Sequence, residues 1–156
     1  MAVRLLLALI TLNWSKRMAA NKVGNALPNQ FGGILLGKLI GANMNSTADQ
    51  QITMLDNPSK FILRRIVVTN ASISLTTAAG GVYTAASKGG TAVVAAAQAY
   101  SSLTTSALFL DLTLSTTSSA STTVKSSIPN LYLSLTTAQG AAATADVYVY
   151  GDILEA

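Results

Sequence analysis

The sequence predicts an all-β protein, built as an antiparallel two-sheet sandwich with an extended N-terminal arm. From residue 51 onward, apolar and polar side chains repeat with a period of two, which is the signal of strands with one buried face. Short turns rich in Gly, Ala and Ser separate these segments, and few stretches have helical spacing. About seven or eight short strands fit a jelly roll, and an immunoglobulin-like sandwich fits nearly as well.

The chain is predicted to hold one folded domain, residues 34–156, behind an arm, residues 1–33. A length of 156 residues favours a single domain that can bury its own core. Residues 21–33 are rich in Asn, Gly and Pro, which favour turns, and an apolar run begins at residue 34. The first strand is expected over 34–40, with an interruption at Gly37.

Two further candidate strands lie in the first half of the domain. Residues 51–55 form a short one, and residues 61–75 form a longer one that is apolar on both faces at its start. In the second part of 61–75 the odd-numbered residues are predicted to face inward, whereas the first part is expected to be covered on both faces or bent by a bulge near Asn70. Residues 78–81 and 87–90 are predicted to be turns.

Three segments of the second half alternate cleanly and predict strands: 107–115, 130–136 and 145–154. Their inward side chains would be Leu108, Leu110, Leu112, Leu114, Leu131, Leu133, Leu135, Val147, Val149 and Ile153. Ser134 is among the residues expected to face outward. Residues 91–100 are ambiguous, because 91–94 fits a strand whereas 95–103 could form helical turns; a strand is favoured.

The composition excludes most enzyme classes. The sequence has no Cys and no His, which removes thiolate zinc sites, the usual general base and the common nucleophile relays. Among the six acids, Asp146 and Asp152 share a strand face but would lie about 20 Å apart, too far for a glycosidase pair. We therefore expect no catalytic residue, no metal site and no cofactor.

The arm carries the positive charge of the chain. The first 40 residues hold five bases and no acid, giving +5, whereas the remaining 116 hold five bases and six acids, giving −1. Residues 5–12 are apolar but too few to span a bilayer, and Lys16 and Arg17 stand where a signal peptidase would need neutral residues. We expect the arm to bind a protein partner rather than nucleic acid or a membrane, with burial of its apolar run on its own domain as the alternative. The candidate contact residues are Arg4, Trp14, Lys16, Arg17, Lys22 and Lys38.

Two adjacent arginines interrupt an apolar strand. Because neighbouring residues on a strand point to opposite faces, one of Arg64 and Arg65 is expected to face the core or an interface and to need a partner. Asp111 is the candidate, so the sequence predicts a structural ion pair between Arg65 and Asp111.

Three tyrosines share the outward parity of the last two predicted strands: Tyr132, Tyr148 and Tyr150. If those strands pair, the three rings form one patch. Tyr is enriched at contact surfaces, so the patch is interpreted as an oligomer interface. Cover by a loop or by the arm, or a face that stacks on sugars, are the alternatives.

Residues 45–50, 65–72, 74–81, 85–94 and 131–150 together resemble small structural proteins of tailed-bacteriophage virions, especially jelly-roll capsid decoration (cement) proteins. The resemblance covers about two thirds of the chain. It implies a non-enzymatic homo-oligomer, often a trimer, seated on the capsid exterior where capsomers meet and bound to the major capsid protein. Other virion roles (coat, head-fibre base or tail component) and a secreted carbohydrate-binding sandwich remain alternatives.

Overall fold

A computed structural model describes residues 33–55, 60–115, 125–126 and 130–153. The chain divides into two units, Met1–Phe31 and Gly32–Ala156, and every described residue belongs to the second. These described residues form antiparallel strands and no helix, so the all-β prediction is confirmed. The strands are β1 (Ile34–Asn43), β2 (Gln50–Met54), β3 (Lys60–Thr69), β4 (Ala79–Ala85), β5 (Gly89–Val94), β6 (Phe109–Asp111), β7 (Lys125–Ser126), β8 (Asn130–Thr137) and β9 (Thr144–Ile153).

The strands make one curled antiparallel sheet, a half-barrel. Its order is β5-β4-β8-β2-β1-β9-β3-β6, and β7 pairs with the start of β3. The β1–β9 and β3–β9 ladders are long, whereas β1 and β2 are joined at only Gly37↔Met54 and Lys38↔Thr53. A bridge between Val94 and Leu114 links the end of β5 to the segment that follows β6.

The core fills the inside of the curl. Inward side chains from the strands form one cluster with side chains from the loops, and close packing of this kind leaves few voids. Its largest fully buried members are Tyr100, Phe61, Leu36, Met44, Ile52, Leu63, Ile66, Leu75, Leu103, Leu131, Leu133 and Leu135. Burial raises the pKa of the Tyr100 hydroxyl above its usual range.

A β-bulge in β3 changes which residues face inward. Opposite β9, the register slips between Leu63 and Arg65, so Arg64 is an extra residue. The side chains of Leu63 and Ile66 are therefore both buried, and the two arginines between them are both exposed. The expectation that one arginine faces the core is wrong, as is the bulge placed near Asn70. Within β3 the even-numbered Ile66 and Val68 are buried instead of the odd-numbered residues, but after the strand Ala71, Ile73 and Leu75 lie in or against the core as predicted.

Strand β4 was missed because two glycines lie in it. A Cβ at Gly80 would lie 2.7 Å from the Ser134 carbonyl oxygen, and one at Gly81 would lie 3.1 Å from the Ala95 carbonyl oxygen. Glycine in a strand often marks such a close approach of neighbouring backbones. Residues 78–81 are therefore mostly strand rather than the predicted turn. Strand β1 is likewise continuous through Gly37.

Three side chains have the opposite exposure to that predicted. Leu108 is 67% exposed because it precedes the short edge strand β6, and Ile153 is 38% exposed at the end of β9. Ser134, predicted to face water, is 1% exposed. It lies near Asp49, whose carboxylate accepts the backbone N–H of Ser87, so the tip of the β4–β5 hairpin reaches this part of β8.

Candidate binding face

Four neighbouring strands, β1, β9, β3 and β6, present a mixed polar and aromatic outer face. Register aligns Tyr150 with Leu35 on one side and with Arg65 on the other. One row further along β9, Tyr148 lies between Lys38 and Val67. Both tyrosines are half-buried, whereas the two neighbouring cations, Lys38 and Arg65, are exposed. We call this surface the tyrosine face, and its defining residues are Lys38, Arg64, Arg65, Asp111, Asp146, Tyr148, Tyr150 and Asp152.

The structure brings Arg65 and Asp111 together across β3 and β6. The Arg65 Nε donates to Asp111 Oδ1, and its Nη2 donates to Oδ2 at 2.6 Å, a two-pronged arrangement. The Asp111 carboxylate, with a smaller contribution from Tyr150, raises the pKa of Arg65. Because both side chains are about half exposed, the pair contributes no more than about 1 kcal/mol to stability. Its main effect is to fix the orientation of both groups.

A second ion pair joins Arg64 to Asp152, with Nε 2.7 Å from Oδ2. The sequence did not predict this pair, because side chains that alternate regularly along a strand would place Arg64 and Arg65 on opposite faces. The bulge in β3 leaves both arginines exposed, each paired with an aspartate on a different neighbouring strand. The available signal was the adjacency of two arginines in a chain whose few acids lie on candidate strands.

Among the side chains that the structure describes, the formal charges on the tyrosine face cancel. Its cations are Lys38, Arg64 and Arg65, and its anions are Asp111, Asp146 and Asp152. The Asp146 carboxylate accepts the Gly41 backbone N–H and the Asn70 side-chain amide, each at 2.8 Å. The three positive and three negative groups give a net formal charge of zero, so the face exerts little long-range electrostatic attraction on a charged ligand.

The structure does not bring Tyr132 to the other two tyrosines. Strands β8 and β9 are separated by β2 and β1, so three strand spacings, about 14 Å, lie between them. Tyr132 instead pairs with Tyr83 of β4 and Gln51 of β2. The predicted single patch of three rings is wrong, because β8 and β9 are consecutive in the chain but are not neighbours in the sheet.

The predicted partner-binding residues fall mostly outside the part of the chain that can be described. Lys38 lies exposed on β1 beside Tyr148. Arg4, Trp14, Lys16, Arg17 and Lys22 lie outside the described residues.

Asp49 ties the β4–β5 hairpin to the start of β2. The Ser87 backbone N–H, with a smaller contribution from the positive charge of Lys88, holds the pKa of the Asp49 carboxyl below its usual range. A carboxylate with a lowered folded-state pKa stabilises the fold above its unfolded pKa of about 4, and this contribution disappears as the pH falls through the folded value.

We expect Asp49→Asn to flatten the acid dependence of stability. In the native protein the unfolding midpoint in urea should fall between pH 5 and pH 2 more steeply than in the variant, because only the native chain protonates this carboxyl. The comparison variant is Asp111→Asn, which removes a carboxylate that accepts hydrogen bonds from Arg65 rather than from the β4–β5 hairpin. Equal slopes for the native protein and Asp49→Asn would contradict this role.

Two other kinds of site are not found in the part of the chain that the structure describes. Across residues 33–55, 60–115, 125–126 and 130–153, no three Asp or Glu side chains cluster in a way that could hold a metal ion. Within the same ranges, no helix is long and apolar enough to cross a membrane. The chemistry present on the tyrosine face is hydrogen bonding, ion pairing and contact with aromatic rings.

Comparison with known proteins adds no assignment. No model of a protein family, no curated protein and no solved structure matches this chain.

Proposed function

We propose that the curled sheet is a jelly roll. Counting the eight longer strands in order and omitting β7, the sheet order divides into β1-β9-β3-β6 and β2-β8-β4-β5. In chain order these are strands 1-8-3-6 and 2-7-4-5, the two sheets of a jelly roll with its paired Greek keys. The strand order is the observation that supports this assignment most directly.

The pairing between the two halves is also what a sandwich requires. Only two residue pairs join β1 to β2, so the sheet can fold at this junction. A Cβ at Gly37 would lie 3.0 Å from both Met54 Sδ and the Thr53 carbonyl oxygen, which accounts for glycine at the corner. At the other side, Val94 pairs with Leu114 and the Ser115 N–H donates to the Val93 carbonyl.

We further propose that the protein is a capsid decoration protein of a tailed bacteriophage, attached to the outer shell by its basic arm. Jelly rolls are common among viral capsid and lectin domains, but a fold alone does not assign a function. The additional support is the charge distribution, with four bases and no acid (+4) in the arm, residues 1–33, and six bases and six acids (zero net charge) in residues 34–156. This asymmetry suits a body that stands free while its arm binds an acidic shell.

The mechanism would rest on contact area and on the number of contacts. Each arm would lie across a seam between coat subunits, and each bound body would add contacts of modest strength. If copies associate, as trimers for example, several arms bind together and the effective affinity rises by orders of magnitude. The basic residues would set register and association rate more than affinity.

We expect removal of residues 1–20 to release the protein from the particles that carry it. Occupancy should fall by at least about tenfold, because attachment through several arms is lost at once. The truncated protein should keep the β-rich circular dichroism spectrum and the urea midpoint of the full chain. Densitometry of purified particles, after incubation with a tenfold excess of each protein and sedimentation, measures the occupancy.

The matched control is Lys88→Ala, which removes an exposed positive charge from the β4–β5 hairpin and should leave occupancy unchanged. Unreduced occupancy of the truncated protein would refute attachment by the arm. Assembly of the purified full-length protein into closed shells would refute a decorating role and indicate a coat protein.

A further inference from the structure

We propose that the tyrosine face is a binding site for an uncharged oligosaccharide, with Tyr148 and Tyr150 as its aromatic platform. This inference does not depend on capsid attachment, since it concerns the outer face of the β1-β9-β3-β6 half rather than the arm. Three observations support it: two half-buried tyrosines lie side by side on one strand, two Arg–Asp ion pairs lie next to them, and the formal charges of the face sum to zero.

The two tyrosines stand on the same face of the central strand β9. Residues i and i+2 of a strand lie about 7 Å apart, so two rings can contact neighbouring units of one extended chain. The C–H faces of a sugar ring pack on an aromatic ring, while the tyrosine hydroxyl remains available for hydrogen bonding. Partial burial limits the conformational freedom of both side chains and lowers the entropic cost of binding.

The charged groups beside the rings supply fixed donors and acceptors. Arg65 is directly opposite Tyr150 and uses two of its five N–H groups on Asp111, which leaves three for a ligand. Arg64 donates one hydrogen bond, from its Nε to Asp152. Each ion pair holds its guanidinium and carboxylate side by side, so neighbouring sugar hydroxyls could donate to one and accept from the other.

The cancelled charge favours an uncharged ligand over an ionic one. An acidic saccharide or a phosphate would gain little net attraction from three cations balanced by three anions. It would also be repelled by the Asp111 and Asp152 carboxylates that lie beside the arginines. A neutral polyol carries no charge and is not subject to this repulsion.

The same surface is poorly suited to contact with a second copy of the chain. Lysine and aspartate are depleted from the cores of protein interfaces, where their desolvation is costly. Here Lys38 and Arg65 lie directly opposite the two tyrosines, so charge occupies the centre of the face rather than its rim. A hydrated ligand leaves such groups partly solvated, whereas a flat protein partner would bury them.

Isothermal titration of the full-length protein with a panel of neutral pentasaccharides (cellopentaose, maltopentaose, xylopentaose and chitopentaose) tests the proposal, with pentagalacturonate as the acidic comparison. We expect saturable binding of at least one neutral member. Tyr148→Ala and Tyr150→Ala should each weaken it by about tenfold or more, since each removes half of the platform. Tyr148→Phe should retain most of the affinity.

Tyr132→Ala is the matched control, because it removes a half-buried tyrosine from the other half of the sheet and should leave affinity unchanged within about twofold. Urea midpoints of all variants show that they are folded. Absence of binding to every neutral member, binding of the acidic saccharide alone, or equal loss in Tyr132→Ala would overturn the proposal. Dissociation of an oligomer by Tyr148→Ala in sedimentation velocity would also overturn it, in favour of a second copy.

Discussion

Deleting Arg64 from the middle of β3 is expected to leave the protein folded, whereas deleting Tyr148 from the middle of β9 should abolish cooperative folding. A single deletion inside a strand normally turns every side chain on one side of it to the wrong face. Arg64 is the exception, because it is the extra residue of a bulge. Without it, Leu63 opposite Gly151 and Arg65 opposite Tyr150 become consecutive rungs of a regular ladder.

The cost of losing Arg64 should therefore be small. The deletion removes the exposed ion pair with Asp152, which contributes no more than about 1 kcal/mol, and some of the local twist that the bulge adds. Phe61, Leu63 and Ile66 keep their inward positions on either side of the deletion. We expect a loss of about 1–2 kcal/mol in the free energy of unfolding.

Tyr148, in contrast, occupies a regular position in β9, so its deletion must shift one part of the strand by one residue. If the chain before it slips, Ala145 and Val147 leave the core and Asp146 is turned inward. If the chain after it slips, Val149 leaves the core and Asp152 is turned inward. Either choice loses apolar burial and places a carboxylate among apolar side chains, at a cost of several kcal/mol.

Urea unfolding followed by circular dichroism, together with the dispersion of amide NMR signals, distinguishes the two deletion variants. A cooperative transition and dispersed spectrum are expected for the Arg64 deletion, and neither for the Tyr148 deletion. Loss of folding in both would mean that the bulge in β3 is not where the register of β3 and β9 puts it.

The strands that sequence predicted best are those with two unlike faces. In β8 and β9, leucine or valine alternates with tyrosine, serine or aspartate, and Leu131, Leu133, Val147 and Val149 are buried as predicted. Alternation is a local signal, so it survives without knowledge of the partner strands. Strand β4 lacks that signal because close neighbours require glycine at two of its positions, a requirement set by the tertiary structure.

The order of the strands in the sheet could not be predicted from the sequence. Nothing local indicates that β8 pairs with β2 and β4, or that two strands separate it from β9, because such pairings depend on long-range packing. The grouping of Tyr132 with Tyr148 failed for this reason. The pairing of Arg65 with Asp111 was predicted correctly because few acids were available, although its premise, an arginine facing the core, was wrong: the pair is about half exposed.

Replacing Gly151 with alanine should destabilise the fold by about 3 kcal/mol or more, the upper end of the range for overpacking. Gly151 lies in β9 where β1 and β3 both approach it. A Cβ there would lie 2.6 Å from Leu36 Cδ1 and closer still to the Ile62 carbonyl oxygen. A side-chain methyl can move aside, but the carbonyl belongs to the backbone of β3 and cannot do so without disturbing its ladder with β9.

Gly140→Ala is the matched control for this prediction. Gly140 has a φ of +83°, and a Cβ added there would meet no other atom within 4 Å. Alanine at this position therefore introduces backbone strain alone, at a cost of about 1 kcal/mol.

The double variant Gly151→Ala/Leu36→Ala separates the two contacts at Gly151. If the Ile62 carbonyl is the obstacle, shortening Leu36 removes the lesser contact, adds a cavity and rescues nothing. Urea midpoints of the two single variants and the double variant decide the matter. A double variant more stable than Gly151→Ala would assign the clash to Leu36, and equal losses for Gly151→Ala and Gly140→Ala would show that β1, β9 and β3 are not packed this closely.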